Sequence, residues 1–412
     1  MYISQRMIRL TLVASFFFMF FLSSVESQTT TWIKPGIHCF EVPTEYLKER
    51  DSIPDFWLTT NAEVNDFLDA NIRRGEVRQI GTSAGGRPIR AVFYGTPREG
   101  EGTTTYSGSL GFQDVRAYRG PDHENTVFLA MASVHGGELE PIMGIVNFLS
   151  VLETGKDLRG KAWPEIEQFF HEIDRLIVIP IMNPDGRNRV PIRMTPFRGM
   201  NYKVNEYWNT GGNPDGTLIG WPDIKEYIPF DFTTNQFPGG YSNEAGVNIQ
   251  HDDFFNVMQP ETRALFDLCD IEKPDLILNM HTGAVFPKML KPFTEVELRP
   301  VFDQLYKRIL TAWTKAGLER TDNVELESDP EGVGSYSPFG LDGALSFHCG
   351  ALSAVIESPN HGFASVRDEH GDMIIMTPDM LLDAQLIGYR ESLQFLRDTG
   401  GRSQWTPGKN SR

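Results

Sequence analysis

Thr126–Val134 (TVFLAMASV) is almost free of polar side chains, and it runs through His135-Gly136-Gly137-Glu138 into the helical pattern Leu139–Leu152. A near-continuous apolar run of this length fits a strand covered on both faces, because a half-solvated strand would alternate. In the segment that follows, Ile142, Ile145, Val146 and Leu149 fall on one side of a helix. A buried strand feeding a helix after a short turn is the first half of a βαβ unit, and such units stack into parallel sheets. The pattern recurs. A helix near Glu165–Ile173 precedes strand Leu176–Ile181, helix Glu261–Asp270 precedes strand Asp275–Met280, and a long helix around Glu295–Gly317 precedes strand Leu352–Ile356. A last amphipathic helix, Pro378–Arg397, should pack on the sheet. The expected fold is α/β: a single domain with a mostly parallel mixed sheet and helices on both faces.

Upstream of this unit, Ala62–Arg74 reads as an amphipathic helix, and Glu76–Ile80 and Ile89–Tyr94 as two strands joined by the Gly-rich turn Thr82–Arg87. Gly95–Glu124 reads as loop or hairpin. Residues 186–250 are polar, irregular and rich in Gly, Pro, Asn and aromatics. Loops of that size inside a compact domain often build binding sites. No internal repeat is visible.

The first residues have a different character. Arg6 and Arg9 precede the Phe-rich run Leu10–Leu22 and the small-residue exit Ser23–Ser27. This describes a secretory signal peptide with cleavage before Gln28, and the run is short for a membrane span of ~20 residues. The expected organisation is a signal peptide (1–27), an N-terminal extension (28–61), a catalytic domain (62–400) and a C-terminal tail (401–412). The expected compartment is secreted or periplasmic, with no membrane span in the mature chain. Arg6, Arg9 and Glu26 contribute +1 to the net charge of −17, leaving −18 after cleavage. Such a balance argues against nucleic acid or anionic lipid as a partner. Cys39, Cys269 and Cys349 are odd in number and widely spread, so no disulfide framework follows.

Chemistry concentrates where apolar runs end. His135 and Glu138 sit three apart at the mouth of the first strand, His281 follows Asp275–Met280, and Glu357 follows Ala354-Val355-Ile356. His38 and Glu41 share the His-x-x-Glu spacing but lack a strand–helix frame. Ligands of parallel sheets bind where strands end, and four such groups in one sheet would be costly unless they met a partner. Two His and one Glu leave a zinc position open, the pattern of a hydrolytic site. Zinc would bring a bound water's pKa toward ~7, and a further carboxylate is then needed to move its proton. Glu357 is the one remaining.

Taken in order, the motifs resemble those of the zinc carboxypeptidases of the carboxypeptidase A type. They run from Ile80-Gly81-Thr82 through Gly86-Arg87-Pro88-Ile89 to His135-Gly136-Gly137-Glu138 and Asn183-Pro184-Asp185-Gly186. Gly246-Val247-Asn248, Pro260-Glu261, Met280-His281-Thr282-Gly283 and Ile356-Glu357-Ser358 follow. The likeness extends from about Ala62 to about Arg397. A second Asn-Pro-Asp-Gly at 213–216 shows how little any single motif carries. The resemblance implies one Zn2+ ion held by His135, Glu138 and His281, with Glu357 as general base or acid. It also implies an oxyanion Arg about twelve residues beyond Gly186, which falls on Arg198, with Arg193 as the other candidate. A Tyr closing over substrate would be Tyr336.

The chain departs from the family's pattern where substrate is gripped. The family reads Gly-Val-Asp-x-Asn-Arg where this chain has Gly246-Val247-Asn248-Ile249-Gln250-His251. A bidentate guanidinium clamp is hard to replace, and His251 is only partly charged near neutral pH. A second family Arg is Gly137 here. The leading expectation is an exported metallocarboxypeptidase acting on a peptide or peptide-like substrate. Two alternatives stay open: a zinc amidase or deacylase acting on a modified peptide, cell-wall fragment or acyl-amino acid, and an inactive peptide-binding homologue.

Overall fold

The computed structural model describes residues 40, 42–50, 52–112, 114–199, 203–226, 228–284, 287–318, 337 and 339–406, all within one compact unit, Ile37–Arg412. The leader, His38, Cys39, Glu41 and Tyr336 lie outside the described residues.

Seven strands form one sheet in the order β1-β2-β4-β3-β5-β7-β6. They are β1 Glu76–Thr82, β2 Pro88–Gly95, β3 Val127–Ala132, β4 Arg175–Ile179, β5 Leu276–Ala284, β6 Lys288–Leu290 and β7 Leu352–Pro359. The four central strands are parallel, whereas β1, β2 and β6 join antiparallel at the edges. The sheet is therefore mixed with a parallel centre, as the strand–helix alternation implies.

Every residue of β3 and β4 is buried, and alternation divides β3 between two cores. Phe128, Ala130 and Ala132 face a large cluster built with five helices, the short helix Pro164–His171 and four longer ones. The longer ones are α1 Asn61–Asn71, α2 Leu139–Thr154, α4 Arg299–Lys315 and α6 Pro378–Thr399. Val127, Leu129 and Met131 face a smaller cluster built with α3 Pro260–Glu272 and α5 Leu341–Cys349. The helix ends are specified locally. Thr60 and Glu63 form a reciprocal capping box at the start of α1. Thr377 caps α6, Pro378 opens it, and left-handed Gly400 ends it.

The structure departs from the sequence reading in ways that bear on the site. Gly95–Glu124 contains two short helices, Tyr106–Phe112 and Arg116–Arg119, in place of a bare loop or hairpin. Helices Pro184–Arg189 and Lys203–Thr210 interrupt the long loop, and α5 was not expected at all. More consequential, β5 continues to Ala284 and β7 to Pro359, so His281 and Glu357 lie within strands rather than beyond them. The apolar run ends at Met280, but backbone pairing continues while the side chains turn polar. Among the described residues no helix is long and apolar enough to cross a membrane.

Candidate metal centre

The turn after β3 is set by close backbone packing. Ser133 adopts φ +58°, an uncommon conformation for a residue with a side chain, and it turns the chain into His135. A methyl group at Gly136 would lie 1.9 Å from the Arg187 nitrogen, and one at Gly137 would lie 2.3 Å from Asn209 Oδ1. Only glycine fits at either position. The Asn183 side chain caps the helix that begins at Pro184 by accepting from the Gly186 nitrogen (2.8 Å), and donates to the carbonyls of Val134 (3.3 Å) and Tyr241 (3.2 Å). Asp185 accepts from Ser83 Oγ (2.6 Å), the Gly85 nitrogen (2.7 Å) and Arg87 (2.8 Å). The Asn-Pro-Asp-Gly motif thus clamps the two turns that frame His135.

His135, Glu138 and His281 converge. One ligand atom from each lies within 4.8 Å of the others, and all three residues are buried. His135 Nδ1 is 2.8 Å from Glu138 Oε1, and His281 Nδ1 is 3.1 Å from Glu138 Oε2. The Thr282 nitrogen donates to Glu138 Oε2 at 3.2 Å. Asn248 Oδ1 lies 3.1 Å from His135 Nε2. With an ion held at Nδ1, Asn248 would accept the Nε2 proton, the orienting contact that metal-binding histidines need. Sequence reading quoted Asn248 in a motif without giving it this role. The ring of Tyr241 stacks on His135 (centroids 3.8 Å apart, 6° between planes), and nothing in its local sequence marked it.

The electrostatics favour positive charge beside Glu138. Burial pushes Glu138 up, but the two histidines outweigh it and hold the carboxyl down to about 2. Burial opposes a proton on His281, yet the Glu138 carboxylate raises it to about 9, whereas burial keeps His135 below its ordinary value. Glu138 is thus ionised beside His281, and a divalent ion held there would displace the imidazole proton. His281 Nε2 is buried without a hydrogen-bond partner among the described residues. Two imidazoles and a carboxylate meeting in this way could hold one zinc ion with a position to spare.

Glu357 lies beside this group. It is the direct partner of His281 in the β5–β7 ladder, so the two side chains leave the same face of the sheet. Burial, then the Glu138 charge, raises its carboxyl to about 7.

The described candidates for substrate binding make their contacts in the long loop and against the N-terminal part of the chain. The Arg198 guanidinium donates to the Glu45 carbonyl, and its backbone nitrogen donates to Gly362 (2.7 Å). Arg193 pairs with Glu63 at 2.5 Å. Arg187 donates to the carbonyls of Thr59, Val190 and Ile192, and Arg189 to those of Gly239, Ser242 and Asn243. All four have protein partners, in the long loop, the N-terminal arm, α1 or at Gly362. Gln250 donates to Asp342 Oδ2 at 2.9 Å. His251 is half-buried, and burial, then the nearby Lys225 charge, pushes it down to about 4. It is neutral at physiological pH.

A family model described as zinc carboxypeptidase matches residues 62–322, a span that holds the three converging residues and stops before Glu357. No curated protein sequence matches the chain. Similar solved structures include a metallo-carboxypeptidase from Burkholderia cenocepacia, at 14% identity and TM-score 0.49, covering 82% of this chain and 69% of that one. Carboxypeptidase A from Helicoverpa armigera gives 12% identity and TM-score 0.44, covering 86% and 77%. A metallo-carboxypeptidase from Pseudomonas aeruginosa, solved with (2-guanidinoethylmercapto)succinic acid, gives 12% and 0.44, covering 82% and 68%. With a family model matched over well more than half its length, the chain belongs to the zinc carboxypeptidase family.

Proposed function

We propose that the protein is an exported zinc exopeptidase that releases the C-terminal residue of a peptide. The observation that carries this reading is the adjacency of Glu357 to the His135–Glu138–His281 group, in register on one face of the sheet. The three converging residues would hold the ion. The chemistry that zinc supplies when bound in such a site is polarisation of a carbonyl and acidification of water. Glu357 takes the proton of the attacking water and returns it to the leaving amine. A carboxyl raised to about 7 suits both halves of that transfer near neutral pH. Asn248 keeps His135 in the ligating tautomer throughout. The same reading takes residues 1–27 as a leader removed on export and 62–400 as the catalytic domain.

The test is hydrolysis of a peptide panel by the mature protein. Chelation should abolish release of the last residue, and added zinc should restore it. Persistence of full turnover in the metal-free protein would end this reading. N-terminal sequencing of protein recovered outside the cell checks the leader, and a start at Met1 there would reject it.

A second reading, an amidase or deacylase, is favoured by the four engaged arginines and by Gln250 turned toward Asp342. It differs in needing no carboxylate on the substrate.

A further inference from the structure

β6 was invisible in the sequence, and it carries a charge to the site. Lys288 is the direct antiparallel partner of Glu357, which is in turn the partner of His281. Directly opposed residues share a face and lie about 5 Å apart. Met289 and Ile356, the next pair, join the core on the other side of the sheet, which fixes the facing. His281, Glu357 and Lys288 therefore form one row across three neighbouring strands, with Lys288 on the edge strand and half-exposed.

The Lys288 ammonium has no ion pair or hydrogen bond among the described residues. Three positions on, Lys291 is tied to Asp303 at 3.0 Å. Its charge acts on Glu357 and favours the ionised form, after the larger influences of Glu138 and His281. With the four loop arginines engaged and His251 neutral, Lys288 is an uncommitted cation beside the carboxylate that meets the substrate.

We propose that Lys288 receives the terminal carboxylate of the substrate, in place of an arginine clamp. This rests on the exopeptidase reading and narrows its substrate class to peptides with a free C-terminus. The spacing fits. In a peptide, the C–N, N–Cα and Cα–C bonds separate a scissile carbonyl carbon from the next carboxylate carbon by at most about 3.7 Å. Lys288 stands one strand spacing, about 4.8 Å, from Glu357. A leaving amino acid spans that gap with its carboxylate at the ammonium, whereas an acyl chain or amidated end offers Lys288 nothing. The other cation near the site, Lys225, stacks over Trp221 at 4.4 Å and neighbours His251 instead.

The experiment compares a peptide with its C-terminally amidated twin in the zinc-loaded protein. In Lys288→Met, KM for the free-terminus peptide should rise roughly ten- to hundredfold, the effect of one charge-assisted hydrogen bond. KM for the amidated twin should stay unchanged, and Lys288→Arg should restore most of the loss. An equal effect on both peptides, or none, overturns the assignment. So does a selective rise in Lys225→Met with none in Lys288→Met. Calorimetric binding of the same two peptides reads the anchor without turnover. If the wild-type protein binds but hydrolyses neither peptide, the exopeptidase reading fails. The Lys288 assignment then stands or falls on whether Lys288→Met weakens binding of the free-terminus peptide alone.

Discussion

The two ends of the sheet each bury an acid between basic groups, and they do opposite things with it. At the amino end of β5, Asp275 accepts from Arg98 (3.0 Å), Arg119, the Val127 nitrogen (2.8 Å) and the Arg402 nitrogen (2.7 Å). Arg402 in turn pairs with Glu295 at 2.9 Å and reaches the Gly350 carbonyl at 2.7 Å. Both carboxylate oxygens are saturated with positive or donating groups, and the cluster fastens residues 98, 119 and 402 to the sheet. At the carboxyl end, Glu138 and Glu357 share two imidazoles and one lysine. One acid held by two guanidinium groups marks the structural end. Two acids beside titratable imidazoles mark the end whose His-Glu-His group could hold an ion.

The sharpest way to break this contrast is to neutralise one acid at each end. Glu357→Gln should lower kcat by roughly a hundred- to ten-thousandfold, with zinc content by metal analysis and the unfolding midpoint both held. A variant retaining zinc and full turnover would remove Glu357 from the mechanism. Asp275→Asn should do the reverse. Stripping the charge from a buried pair leaves guanidinium groups uncompensated, at about 3–5 kcal/mol, read as a lower denaturant midpoint. Protein that remains folded should keep its kcat. A stability change under about 1 kcal/mol would show that the Asp275 cluster is not the fastening it resembles.

The next effect is smaller and lies in the contact behind the metal site. Asn248→Ala removes the acceptor that holds the His135 tautomer and should weaken zinc affinity about ten- to hundredfold, measured by competition with a chromophoric chelator. Unchanged affinity would mean that the Tyr241 stack alone orients the ring.

How much of this was readable in the chain follows from range. The apolar runs that became β3, β4, β5 and β7 are local signals, and so is the placing of His135 and Glu138 at the mouth of a strand. Adjacency of His281 and Glu357 followed from assuming that parallel strands end together. Lys288 could not be found in that way. Its strand is three residues long, and its meaning comes from antiparallel pairing with β7, more than sixty positions away. α5 escaped because Gly343, Ser346 and His348 dilute its pattern, although Leu341, Ala344 and Leu345 are buried. Arg193 and Arg198 were chosen by offset from a motif, whereas their partners Glu63 and Glu45 belong to a distant part of the chain.

The smallest expected effect separates the two ends by pH. Glu261, at the start of α3, accepts from the Ala84 nitrogen and from Asn243 Nδ2, both at 3.0 Å, but pairs with no cation among the described residues. Burial, then the charge of Asp185, raises it to about 7. In the unfolded chain it titrates near ~4.3. Between those values the folded protein holds a proton that the unfolded chain has lost, so stability falls as pH rises through that window. Glu261→Gln should remove this slope and leave the variant more stable than the wild type above pH 7, by on the order of 1–3 kcal/mol. Asp275 has the opposite sign. Burial opposes its ionisation, but Arg119 and Arg98 hold it below its ordinary value. Its contribution is complete above the unfolded value of ~3.9 and is lost as pH falls through the lower folded one. The deficit of Asp275→Asn relative to wild type should therefore be full at pH 7 and shrink in acid, whereas the gain of Glu261→Gln should vanish near pH 4. Unfolding curves at pH 3, 5 and 8 decide both, and parallel profiles for the two variants would mean that the ends of the sheet do not differ in the way their charges imply.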